Sequence, residues 1–145
     1  LQVQILENQH QLLTHNKASF AVAGATDYST KRRDMEPVSD PITALRGVPS
    51  ECTFRLLLAH QPKSVFEACR SGATLQLSGH THGGQFYPWN VIVGLAHPFL
   101  AGLHRYTEDE NNSCQIYVSR GTGYWGPPLR LGASPELTLL TLKRA

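Results

Sequence analysis

At 145 residues and 41% hydrophobic content, the chain is long enough for one domain with a core of its own. A net charge of +2 is too small to argue for nucleic acid. No run approaches the roughly 18 apolar residues of a transmembrane helix, so this stretch holds none.

Val3 to Leu6 is a short strand candidate. Gln11–Thr14 and Ser19–Ala25 predict a hairpin that turns at His15-Asn16-Lys17. His10 and His15 lie in polar surroundings and read as surface residues. Gly24-Ala25-Thr26-Asp27 closes the second strand, and Asp27 lacks the paired residues expected around a metal-binding aspartate. Tyr28–Ser39 is a polar loop, with the basic run Lys31-Arg32-Arg33 answered at once by Asp34 and Glu36. Asp40-Pro41 starts a short helix ending near Gly47, with Asp as cap and Pro at the first position.

Thr53–Ala59 is nearly all apolar, as in a strand covered on both faces, and His60 ends it. After Gln61-Pro62, residues Lys63–Ser71 predict a helix with Val65, Phe66 and Cys69 on one face and Gly72 as its stop. A second strand follows at Leu75–Ser78. Strand, helix and strand in this order predict a parallel pair joined by a crossover. His60 and His80 then sit at the carboxyl ends of neighbouring parallel strands, where open α/β sheets place their sites.

Beyond that strand the chain reads Gly79-His80-Thr81-His82-Gly83-Gly84-Gln85. In extended backbone, residues i and i+2 point the same way, so His80 and His82 are expected to face one point. Three glycines leave room for backbone and ligand to come close. Imidazole is the commonest metal ligand, which makes His60, His80 and His82 the candidate metal site. The three cysteines, Cys52, Cys69 and Cys114, are far apart and have no Cys-x-x-Cys spacing. That pattern speaks for a reducing, cytoplasmic compartment and against a cysteine-type zinc site.

Further on, Phe86-Tyr87-Pro88-Trp89-Asn90 is an aromatic knot, and Val91–Leu103 is apolar but broken by Gly94, His97, Pro98 and Gly102. Leu103–Thr107 and Gln115–Ser119 are strand candidates around an acidic turn at Glu108–Ser113. Ser119–Gly123 is a glycine turn, and Glu136–Leu142 predicts a strong last strand. Helix and parallel strands in the middle, with antiparallel strands around them, predict an α/β fold with mixed sheets.

The residues Leu58-Ala59-His60-Gln61-Pro62, the Gly79–Gln85 motif and Val118-Ser119-Arg120-Gly121-Thr122-Gly123-Tyr124-Trp125-Gly126-Pro127-Pro128-Leu129-Arg130 carry a resemblance. From about residue 20 onward the chain resembles the C-terminal portion of a calcineurin-like metallophosphoesterase. Within that superfamily it is similar to the bacterial branch with membrane-linked phosphodiesterases. The resemblance implies a two-sheet sandwich flanked by helices, of which residues 1–145 supply the C-terminal part. It implies a binuclear centre of two divalent metals, Mn, Fe or Zn. The residues matching His60 and His80 would hold one metal, and the one matching His82 the other.

The departures are as informative. The family's Asp-x-His, Gly-Asp-x-x-Asp and Gly-Asn-His motifs are absent from these 145 residues, and the chain begins at Leu1. The expectation is a C-terminal piece that holds no catalytic residue of its own and is inactive alone, with the proton donor upstream. Two metals roughly 3.5–4 Å apart can clamp a phosphate and generate hydroxide near neutral pH, which suits hydrolysis of phosphomonoesters or phosphodiesters. Arg120 and Arg130 are candidates for holding phosphate oxygens. The expected substrate is a phosphoester small molecule or a lipid-linked phosphoester. The apolar stretch Val91–Leu103 is expected to form a lip at the periphery of the membrane. The competing reading is a degenerate, non-catalytic scaffold that binds a partner protein.

Overall fold

The computed structural model describes residues 3–33 and 35–143, without the side chain of Arg32. Asp34, the first expected answer to the basic run, therefore lies outside the described residues. Six strands form one mixed sheet in the order β1-β2-β3-β4-β6-β5. The hairpin β1 (Gln9–His15) and β2 (Ala18–Gly24) is one antiparallel edge, and β5 (Gly102–Thr107) with β6 (Ser113–Val118) is the other. Between them β2, β3 (Phe54–Leu58), β4 (Leu75–Ser78) and β6 run parallel. The protein is thus α/β, as the order of elements predicts, with a single sheet among the described residues.

The hairpin turns at Asn16 and Lys17, both with positive φ (48° and 64°). This mirror-image turn matches the twist of paired strands. The predicted short helix is α2 (Pro41–Leu45), and its cap Asp40 accepts from Thr43 N at 2.9 Å and Thr43 Oγ1 at 2.6 Å. The crossover consists of a 3-10 turn at Pro62–Ser64 and α3 (Val65–Arg70), which stops at Gly72 with φ of 79°. The loop before α2 contains one helical turn, α1 (Thr30–Arg33), whose Lys31 pairs with Glu67 on α3 at 2.6 Å.

Three expectations are overturned. Val3–Leu6 is not a strand, and Val3 and Ile5 are exposed. Glu136–Leu142 is not a strand either; Leu137 and Leu139 are 94% and 91% exposed. Both segments carry strand-forming residues, but no strand among the described residues pairs with them, and pairing is what stabilises a strand. Third, the apolar run of β3 is covered on one face only. Leu57 is fully buried, whereas Leu58, pointing the other way, is 41% exposed.

The covered face explains the packing. Ala21 and Ala23 of β2 and Leu57 of β3 pack with Ala44 and Leu45 of α2 and Ala68 of α3. The small alanines let the helices approach closely. Beside them Val65 and Cys69 of α3 meet Cys114, Ile116 and Val118 of β6, with Phe66, Phe99 and Tyr106 at the margin. All three cysteines are buried free thiols, and burial beside Cys69 pushes Cys114 up to about 12. His10, expected on the surface, is half-buried, with Nδ1 at 2.9 Å from the Ala44 carbonyl, whereas His15 is exposed.

Candidate metal centre

The parallel pair β3–β4 carries the site. Beyond its last residues the backbone stays paired, with Ala59 N donating to Leu77 O and Gly79 N donating to His60 O, both at 3.1 Å. Beneath this a buried polar chain ties the same strand ends. Gln76, fully buried, donates to Ser78 Oγ at 2.8 Å, and Ser78 Oγ donates to the Ala59 carbonyl at 2.7 Å. Gln76 Nε2 and Ser78 Oγ are thereby partnered, while Gln76 Oε1 is buried without a partner, and the bonds that are made tie the two strand ends together.

Held this way, His60 Nε2 and His80 Nδ1 come within 3.3 Å, with the rings edge to face at 5.0 Å between centroids. Two imidazole nitrogens bound to one tetrahedral ion at about 2.0–2.1 Å stand roughly 3.3 Å apart. The pair therefore fits a shared metal. His82 is presented differently. The chain leaves extended geometry after Ser78, and His80 and His82 both have positive φ, 70° and 52°. The expected i and i+2 alignment on a strand is thus replaced by a tight 3-10 turn at His82–Gly84. Left-handed backbone is unfavourable for residues with a Cβ, so this turn is held by its surroundings. Gly84 has no choice of residue: a Cβ there would lie 2.3 Å from Asn90 Cα.

The His82 ring sits against the Arg130 guanidinium. Its Nδ1 lies 3.4 Å from Nη2 of Arg130. Burial, then the charge of Arg130, lowers its pKa from the ordinary imidazole value. Burial also lowers that of His80, helped by His60 and His97 and opposed by Asp27. Both imidazoles are thus neutral at pH 7, the form that ligates metal. Among the described residues no three His, Cys, Asp or Glu side chains converge on one metal position.

The two arginines stand apart. Arg130 donates to the carbonyls of His82, Arg120, Gly123 and Ala133. Arg120 packs its stem near Gly83, and its exposed head lies 3.9 Å from Glu136.

Residues not singled out in the sequence complete the site. His97 sits 5.3 Å from His80 between ring centroids, with a buried Nδ1 that has no hydrogen-bond partner. Asp27, set aside in the sequence, accepts from Ser29 N at 2.7 Å and Gln61 Nε2 at 3.1 Å. Burial raises its pKa, but these hydrogen bonds and the nearby His60 bring it below the ordinary carboxylate value. Only the sheet order brings Asp27, at the end of β2, beside β3. Gln85 is fully buried and joins the histidine turn to the distal loop: it accepts from Trp125 N at 2.8 Å and donates to Trp125 O at 2.9 Å and Pro127 O at 3.2 Å.

His60, His80, Thr81, His82 and His97 open into one cavity of about 480 Å3. Its other wall is apolar, made by Trp89, Ile92, Val93, Ala96 and Trp125. Most of that wall belongs to α4 (Trp89–Ala96), which packs on the histidine turn and buries none of its own residues. The expected irregular lip is therefore a helix in its first half. Val91, Ile92 and Leu95 are exposed, whereas Phe99 packs against the core beside β6.

A histidine pair at adjoining carboxyl ends of parallel strands, with a third histidine on the following glycine turn, defines a class of α/β protein with its candidate site at the carboxyl edge of the sheet. The comparisons specify the class. The chain is 41% identical over 123 residues to an uncharacterized metallophosphoesterase of Helicobacter pylori, covering 83% of this chain and 31% of that protein. It is 32% identical over 145 residues to a putative metallophosphoesterase of Caenorhabditis elegans, covering 97% of this chain and 30% of the relative. A transmembrane protein with metallophosphoesterase domain from Danio rerio is 41% identical over 104 residues, 70% of this chain and 23% of its own length. No family model and no solved structure matches. The chain belongs to the calcineurin-like metallophosphoesterase superfamily. It spans less than a third of the length of these relatives, and they include animal as well as bacterial proteins.

Proposed function

We propose that the protein is a metal-dependent phosphoester hydrolase, to which this chain contributes the histidine half of a two-metal centre. The observation that carries the reading is the 3.3 Å approach of His60 Nε2 and His80 Nδ1 at the mouth of the cavity. His60 and His80 would hold one divalent ion, Mn, Fe or Zn, and His82 a second. Bound metals supply Lewis-acid polarisation of the phosphoryl oxygen and lower the pKa of a water. The remaining work belongs to the chain. Gly79 and Gly83 keep side chains away from the approach to the histidines, and Arg120, whose exposed guanidinium lies 3.9 Å from Glu136, would supply the cation for phosphate oxygens. Trp89, Ile92 and Trp125 exclude water from the far wall. The carboxylate ligands and the proton donor come from outside these residues, so the 145-residue chain alone is inactive.

The substrate class we favour is a lipid-linked phosphoester. An apolar cavity wall continuous with the exposed Val91, Ile92 and Leu95 of α4 suits an acyl chain entering from a bilayer surface. The name of the zebrafish relative, a transmembrane protein, supports a membrane setting. No helix among the described residues is long and apolar enough to cross a membrane, so contact through Val91–Leu103 is peripheral.

The full-length protein tests both parts. With Mn2+, it should hydrolyse bis-p-nitrophenyl phosphate, and His80→Ala should abolish turnover. His82→Ala should lose one bound metal by elemental analysis while the circular dichroism spectrum stays unchanged. Unchanged metal content in His60→Ala, His80→Ala and His82→Ala alike would overturn the assignment. Activity of the isolated chain, lost in its His80→Ala variant, would overturn the inactive-piece reading.

A further inference from the structure

Arg130 is the one guanidinium at the site whose donors are all accounted for. A guanidinium has five N–H groups and no acceptor. Nε donates to Gly123 O at 2.9 Å, Nη1 to Ala133 O at 3.1 Å and His82 O at 3.3 Å, and Nη2 to Arg120 O at 2.8 Å and again to Gly123 O. Five bonds thus consume five donors and leave none for a phosphate. Their acceptors lie on separate stretches of chain: the histidine turn, the turn after β6, and the segment after Arg130 itself. Gly123 O takes two of the five bonds, and Nη2 also lies 3.4 Å from Nδ1 of the His82 ring.

We propose that Arg130 is a positioning residue that locks the His82 turn into metal-ready geometry, and that it does not bind phosphate. The inference rests on the metallophosphoesterase reading above. His82 stands on left-handed backbone, which persists only where the surroundings hold it. Arg130 supplies that hold on one side and Gln85 on the other. A planar fork reaches several carbonyls at once; the point charge of lysine cannot. Groups that orient a metal ligand typically change metal affinity by about 10–100-fold when lost.

The experiment uses the full-length protein with Mn2+ as the metal probe. Arg130→Lys and Arg130→Gln should each weaken the more labile Mn2+ by about tenfold or more. At saturating Mn2+, KM for bis-p-nitrophenyl phosphate should stay within about twofold of the parent's. Unchanged Mn2+ affinity with a tenfold higher KM would make Arg130 a phosphate ligand and overturn the proposal. A parent that binds no Mn2+ would overturn the underlying reading as well; a parent that binds two while both variants match it would overturn this inference alone. If the variants do not fold, the parent decides. Its Arg130 Nε–H resonance should exchange slowly and stay in place as inorganic phosphate is titrated in. A phosphate-dependent shift of that resonance overturns the assignment.

Discussion

Single side chains here do more to join segments than to fill space. Gln85 is buried with all of its polar atoms answered by backbone of Trp125 and Pro127, forty residues away. Gln85→Leu would leave those backbone groups unpaired, and each such group costs about 1–3 kcal/mol. We expect a loss of about 2–4 kcal/mol in chemical denaturation and a red shift of tryptophan fluorescence as Trp125 loosens; an unchanged midpoint would show that the loop is held elsewhere. Asp40 is a smaller case of the same kind. Its bonds to Thr43 cap α2, and Asp40→Ala should cost about 1 kcal/mol by the same measurement.

At the scale of elements, the hairpin and α4 make opposite demands. Asn16 and Lys17 both sit at positive φ, a region asparagine tolerates and lysine does not favour. Lys17→Gly should therefore raise stability by about 0.5 kcal/mol, read as a higher denaturation midpoint with an unchanged slope. In α4, Val91, Ile92 and Leu95 face outward at 55%, 50% and 86% exposure. Val91→Asp/Leu95→Asp should leave the fold and the cavity wall intact, because neither residue is in the core or lines the cavity. It should reduce co-sedimentation of the full-length protein with anionic vesicles and lower turnover of lipid-linked substrates relative to bis-p-nitrophenyl phosphate. A folded variant that sediments as the parent does, with the same substrate ratio, would remove the membrane role of α4. Phe99 is unsuitable for this test: it packs against Cys114, Ile116 and Val118, and an aspartate there would unfold that cluster.

The molecule as a whole is expected to be acid-sensitive in two stages. His80, His82 and His97 have pKa values lowered by burial from the ordinary 6.5. Lys63 adds to the effect at His97, Arg130 at His82, and His60 at His80 and His82, while Asp27 opposes it at His80. Well above pH 6.5 these groups are neutral folded and unfolded, and contribute no slope. Below 6.5 the unfolded chain takes up protons first, so stability falls as pH drops through the lowered folded values. The carboxylates of Asp27 and Asp40, lowered from 3.8, begin to act only below that pH. The thermal midpoint should be flat from pH 8 to 7, begin to fall below about 6.5, and fall further once the carboxylates begin to titrate below about 4. His97→Asn should reduce the first fall and leave the second; a midpoint rising between pH 7 and 5 would contradict the lowered imidazole values.

Much of the architecture is written locally. The hairpin, α2, the α3 crossover and the parallel pair follow from turn residues, caps and apolar periodicity, because those signals act over a few residues. So does the identity of the candidate ligands, since His60 ends an apolar strand and His80 and His82 follow the next one. Geometry at the site is another matter. Whether Glu136–Leu142 is a strand depends on a partner to pair with, which propensity cannot supply. The left-handed turn at His80–Gln85 is maintained by Gln85 and Arg130 against the preference of its own residues. His97 comes to the cavity from the end of α4 through helix packing, and Asp27 comes beside Gln61 from the end of β2 through sheet order. Arg130 looks the same in sequence whether its donors meet phosphate or carbonyls; tertiary structure decides it, because the four carbonyls converge only when three distant stretches of chain are folded together.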